Sequence, residues 1–102
     1  MPHTPGDWTA SDPVQLTDQA GLVRILAPGF PPIGNALWSA NPSIPKEMAI
    51  ANARLIAAAP DLLAALEWAL PLLSKASDAG VPINEAKYLT ARAAISRAKE
   101  GA

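Results

Sequence analysis

The pattern of apolar and polar positions changes near residue 42. Before this point, short apolar runs alternate with turn residues, and eight of the eleven prolines lie within residues 1–45. Proline removes a backbone donor and clashes with the preceding helical turn, so this half predicts strands and loops. After this point, apolar residues recur at helical spacing. We expect a single domain, 1–102, with a strand and loop half (1–42) and a helical half (43–102).

The first half has the pattern of three or four short strands, the count depending on whether Val14–Thr17 forms one. The clearest is Leu22–Leu26, in which Val23 and Ile25 share one face. The residues Asp18–Gly21 just before it are typical of a turn. A small antiparallel meander with one covered face fits this spacing. The other three predicted strands are Asp7–Ala10, Val14–Thr17 and Asn35–Ser39.

Three helices are predicted in the second half. The first runs from Pro45 to about Ala58, and the second runs from Pro60 to about Ala76, with a bend at Pro71. Gly80 suits a left-handed cap after the second helix. The third begins near Pro82–Asn84, where Asn84 suits an N-cap, and ends at Gly101. We expect an α+β fold, in which the sheet packs against the bent helix and an antiparallel helical hairpin.

One face of the first predicted helix carries most of its large apolar side chains. If this face meets the sheet, the amide of Asn52 is buried and satisfies backbone groups of the sheet or a loop. The alternative is that Asn52 points into a ligand site at a subunit boundary. The face consists of Met48, Asn52, Leu55, Ile56 and Ala59.

Composition and charge narrow the class of protein. Half of the residues are apolar and 17% are charged, against about 25% in an average domain. A chain of this length has a thin core, and its alanine-rich helices allow close packing, so we expect a homo-oligomer. The net charge of −1 argues against binding to a nucleic acid polymer. Neither a signal peptide nor an unbroken membrane span is expected.

The residues that carry most catalytic chemistry are scarce. The chain has no cysteine, and His3 is its one histidine. A zinc site needs three or four ligands, and a Ser–His–acid triad would have to use this same histidine. The glycines form no phosphate-binding loop. We therefore expect no metal, no cofactor, no catalytic residue and no enzymatic activity.

Three arginines and a tyrosine are the candidates for binding an anionic ligand. Arg92 lies one helical turn beyond Tyr88, so the ring and the guanidinium are neighbours. This pairing suits a nucleobase next to a phosphate. Arg54, Arg97 and Asn52 complete the set of candidate ligand-binding residues. The alternative is that these arginines form the ordinary polar edge of amphipathic helices.

The three tryptophans are expected to pack in cores or interfaces. Trp8 and Trp38 lie on predicted strands and are expected to brace the sheet against the helices. Trp68 lies about 100° away from the leucine stripe of the second helix. We expect Trp68 to contact a partner subunit.

Three stretches of the chain resemble a large group of small bacteriophage and prophage proteins. They are His3–Trp8, Asn52–Leu66 and the alanine-rich Ala91–Lys99. In that group a proline more often stands where this chain has Asp7. The resemblance implies a phage protein that acts in the cytoplasm of a host bacterium.

A looser similarity concerns the layout of the chain. N-terminal strands followed by a helical pair, with the segment Asn52–Ala57, resemble phage Thoeris anti-defence sponge proteins. Those proteins assemble into oligomers and sequester cyclic ADP-ribose-type or cyclic oligonucleotide immune signals without hydrolysing them. The resemblance implies a non-catalytic protein that binds a small anionic nucleotide. The alternative function is a protein–protein inhibitor or adaptor that acts through its alanine-rich helices.

Overall fold

The computed structural model describes residues 3–100 and confirms an α+β fold. An antiparallel sheet is followed by helices, and the predicted helix end at Gly101 lies outside the described residues. The strands are β1 (Thr9–Ala10), β2 (Val14–Thr17), β3 (Ala20–Leu26) and β4 (Gly34–Ser39), and the helices are α1 (Lys46–Ala57), α2 (Ala59–Asp78) and α3 (Glu85–Glu100).

The chain forms two compact units. The sheet unit, Thr4–Pro60, contains the four strands and α1. The helical unit, from Asp61 onward, contains most of α2 and all of α3. The expectations of a single domain and of a hairpin packed on the sheet stay predictions.

The long strand β3 is the centre of the sheet. It pairs antiparallel with β4 along Ala20–Ile25. On its other edge β2 pairs opposite Leu22 and β1 pairs opposite Leu26. Ser11 bridges the gap between those two short strands, because its N–H donates to the Arg24 carbonyl and its hydroxyl accepts from the Arg24 N–H, both at 2.9 Å. The strands β2, β3 and β4 thus form the predicted meander, which β1 extends along one edge.

The core of the sheet unit lies between the sheet and α1. Val23 and Ile25 are buried on the same face of β3, which confirms the predicted alternation. Ala49 and Ala53, one turn apart on α1, are 0% exposed. Their small side chains let the helix backbone approach the sheet closely. The remaining buried members of this cluster, Ala36 and Trp38, come from β4.

The predicted inward face of α1 is wrong. Met48 and Leu55 are 52% and 64% exposed, and Asn52 and Ile56 are exposed as well. Ala59, the last member of the predicted face, is also exposed and belongs to α2. The alanine face is inward because it allows a closer approach to the sheet than the larger side chains would. The amide of Asn52 is therefore not buried, contrary to its interpretation as a core group.

The caps of the helical unit agree with the sequence. Gly80 has φ of +88°, and the N–H of Val81 donates to the carbonyl of Ala76 at 2.9 Å, which closes the end of α2. The side-chain oxygen of Asn84 accepts a hydrogen bond from the N–H of Lys87 at 3.0 Å, as an N-cap does. Helix α2 continues through Pro71, and the bend there stays a prediction.

Within the described residues, no single helix is both long and apolar enough to cross a membrane. Only when α1 and α2, which are separated by Ala58, are taken together are they long and apolar enough to span a membrane.

Candidate functional site

A groove of about 520 Å³ lies between α2 and α3, within the helical unit. Leu70 of α2 is buried and forms part of its floor. The α3 side of the groove carries Tyr88, Arg92, Ser96 and Lys99. The groove therefore combines an apolar floor, an aromatic ring and two cationic side chains.

The spacing along α3 explains why these side chains share one wall. Arg92 and Ser96 follow Tyr88 by four and eight residues, and Lys99 follows it by eleven. Residues at these intervals lie on one face of an α-helix. The Asn84 cap sets where this helix begins.

One of the two cationic side chains of the groove already forms an ion pair. The Nζ of Lys99 lies 3.3 Å from a carboxylate oxygen of Glu67, which belongs to the α2 wall. The two side chains are 53% and 39% exposed, so solvent screening leaves this ion pair little net stabilisation. The guanidinium carbon of Arg92 lies 6.0 Å from the centroid of the Tyr88 ring, at the outer limit of a cation–π contact. Arg92 is also exposed, so its guanidinium is accessible to an anionic group.

A second, more apolar depression of about 360 Å³ lies beside the groove. Leu70 and Tyr88 line both spaces. Leu66, Leu73 and Ile83 supply apolar walls to the second one. The ring of Tyr88 therefore borders a charged space and an apolar space, an arrangement that suits a ligand with one anionic and one ring-shaped part.

The structure brings together two of the five candidate ligand-binding residues, Tyr88 and Arg92. Arg97 is absent from the groove lining, because five residues after Arg92 correspond to a rotation of about 140° around α3. Asn52 and Arg54 are exposed on α1, in the sheet unit. Arg92 and Arg97 therefore do not line the groove together, and a joint site of these two arginines with Arg54 stays a prediction.

Sequence reasoning missed Lys99 and Glu67. A signal for Lys99 was present, since it lies seven residues after Arg92 and so returns to the same face of α3. No local signal existed for Glu67, because its place depends on the register between two helices. In the part of the chain that the structure describes, no group of three or more His, Cys, Asp or Glu side chains has the arrangement of a metal site.

The comparison with protein families places this α+β chain among bacteriophage proteins. A family model matches residues 1–102, and the chain belongs to the family of Salmonella phage P22 protein Y8K6. The expectation of a small phage protein is confirmed at this level. The comparisons with curated proteins and with solved structures gave no match.

Proposed function

We propose that this phage protein binds and sequesters an anionic nucleotide-type immune signal in the groove between α2 and α3, without turning it over. The observation that carries this proposal is that Tyr88 and Arg92 line one groove of about 520 Å³. A nucleobase stacks on an aromatic ring, and a phosphate accepts charge-assisted hydrogen bonds from a guanidinium. The groove offers both groups on one helical turn.

The depression on the other side of Tyr88 extends this binding mode. A base or second ring would enter the apolar space near Leu73 and Ile83, while phosphate oxygens stay beside Arg92. Lys99 would supply a second cation if it exchanged its Glu67 partner for the ligand. The absence of cysteine and the single histidine of the chain support binding over catalysis. In this proposal the protein acts as an anti-defence sponge in the host cytoplasm.

Calorimetry against a panel of cyclic nucleotides and ADP-ribose isomers tests this function. The substitution Arg92→Gln should weaken binding of the best ligand about 10- to 100-fold, because a charge-assisted hydrogen bond contributes about 1.5–3 kcal/mol. Tyr88→Leu should weaken it by a similar factor through lost stacking. Arg97→Gln is the matched control, since this arginine of the same helix does not line the groove, and it should change the affinity less than twofold.

Two results would contradict the proposal. One is that the intact wild-type protein binds no member of the panel, and the other is that Arg97→Gln impairs binding as much as Arg92→Gln does. Chromatography of the compound released on denaturation separates sequestration from catalysis. An unmodified ligand supports sequestration, whereas a converted ligand indicates an enzyme.

An inhibitor or adaptor function through the alanine-rich helices is the second candidate. It is favoured by Leu89, which is 56% exposed on α3 and lies about 100° around that helix from Tyr88. A stoichiometric host or phage protein that is lost on Leu89→Lys, with no small molecule carried through purification, would support this function. Loss of that protein on Arg92→Gln alone would instead point to the groove.

A further inference from the structure

The face of α2 that points away from α3 carries a regular series of exposed positions. Trp68 is 71% exposed and Leu72 is 47% exposed, although both are large and apolar. Asp61, Ala64 and Lys75 are exposed on the same side of the helix. At 100° per residue, positions 61, 64, 72 and 75 all lie within about 40° of position 68 around the helix, so the five residues form one narrow face. This series is called the α2 seam below.

The α2 seam is complementary to a second copy of itself that runs in the opposite direction. Asp61 and Lys75 lie seven residues on either side of Trp68, and Ala64 and Leu72 lie four residues on either side of it. In an antiparallel pair with a twofold axis at Trp68, Asp61 therefore faces Lys75 of the partner subunit. Ala64 then faces Leu72 of the partner subunit, so that a small side chain meets a large one. A twofold interface requires this kind of self-complementarity.

From this complementarity, we propose that α2 pairs antiparallel with a second copy of this chain, with Trp68 at the twofold axis. A parallel pair would place the Asp61 carboxylates against each other, where like charges oppose association. The α2 seam also leaves the groove accessible, since Trp68 lies about 160° around the helix from Leu70. The interface and the ligand site are thus separate features.

Sedimentation equilibrium with charge variants tests both the interface and its direction. Asp61→Lys places two lysines opposite each other and should raise the dimer dissociation constant at least tenfold. Lys75→Asp should do the same by pairing two carboxylates. The double variant Asp61→Lys/Lys75→Asp should restore the dimer. An equimolar mixture of the two single variants should form a heterodimer, because lysine again faces aspartate at every charged position. The single variants report the direction, because a parallel pair has like charges at both positions with or without either substitution, so that neither substitution would then weaken the dimer.

Two further variants distinguish loss of the interface from loss of folding and from non-specific association through exposed apolar residues. Trp68→Ala should give a monomer that keeps the helix content of the wild type by circular dichroism. Leu89→Lys changes an exposed leucine of α3 and should leave the dimer intact. A wild-type protein that stays monomeric at high micromolar concentration would overturn the proposal, as would a double variant that does not recover. No nucleotide is present in these measurements, so failure of ligand binding would leave their outcome unchanged.

Discussion

At the scale of single residues, the contact between Gly21 and Trp38 shapes the sheet unit. The two residues face each other on β3 and β4, and a Cβ atom on Gly21 would overlap the Trp38 ring and the Val14 carbonyl oxygen. Trp38 is 7% exposed, and the Nζ of Lys46 lies 5.5 Å from its ring centroid. Gly21 was expected in a turn, yet it lies within β3 and makes room for an indole ring. The fold needs glycine at this position because glycine has no side chain, and not because its backbone is flexible.

Gly21→Ala should destabilise the protein by about 1–3 kcal/mol, because the added methyl group overpacks against Trp38. Gly34→Ala is a matched control on the neighbouring strand. A Cβ there would lie 3.8 Å from the nearest atom of Ile25, an ordinary contact, so the free energy of unfolding should change by less than about 1 kcal/mol. Urea unfolding followed by tryptophan fluorescence measures both. Equal effects of the two substitutions would contradict this account of Gly21.

At the scale of elements, α1 shows that apolarity alone does not identify the packed face of a helix. The contact with the sheet is made by Ala49 and Ala53, while Met48 and Leu55 are exposed. A helix that lies directly over a sheet needs small side chains where the two backbones come closest. The size of the side chain therefore decides the orientation of α1.

Ala53→Leu tests this orientation. The larger side chain has no space against the sheet, so we expect a loss of about 1–3 kcal/mol in the free energy of unfolding. Ala51→Leu makes the same change on the same helix at an exposed position, where the effect should stay within about 0.5 kcal/mol. Thermal unfolding of the two variants provides the comparison. The orientation would be refuted if Ala51→Leu proved the more damaging of the two.

The elements themselves were predictable, because their signals are local. Pro13 precedes β2 and Pro28 follows β3, and Gly80 and Asn84 cap helices where the sequence indicates. The neighbouring positions of Tyr88 and Arg92 follow from helical spacing alone. The place of Glu67 and the burial of Leu70 depend on how α2 and α3 pair, which no single segment encodes. The α3 wall of the candidate site was therefore predicted in part, through Tyr88 and Arg92, and its α2 wall was missed.

At the scale of the whole molecule, the two units differ in how much they bury. The sheet unit has a cluster that includes Val23, Ile25 and Trp38. Among residues 61–99 of the helical unit, Leu70 is the one residue described as buried. Burial of apolar surface is the main source of stability, so this unit gains little from its own core. A ligand in the groove and a second copy on the α2 seam would both supply the burial it lacks.

This difference should appear in native-state hydrogen exchange. In dilute protein, amides of β3 should exchange slowest, and those of α2 and α3 at least tenfold faster, because local opening follows the density of buried contacts. Raising the protein concentration should slow exchange across Asp61–Lys75 through pairing of the α2 seam, while β3, the internal reference, stays unchanged. Protection of α2 and α3 equal to that of β3 in the dilute sample would show that the helical unit is stable alone. In that case the exposed apolar residues of the α2 seam would not be explained by a missing second copy.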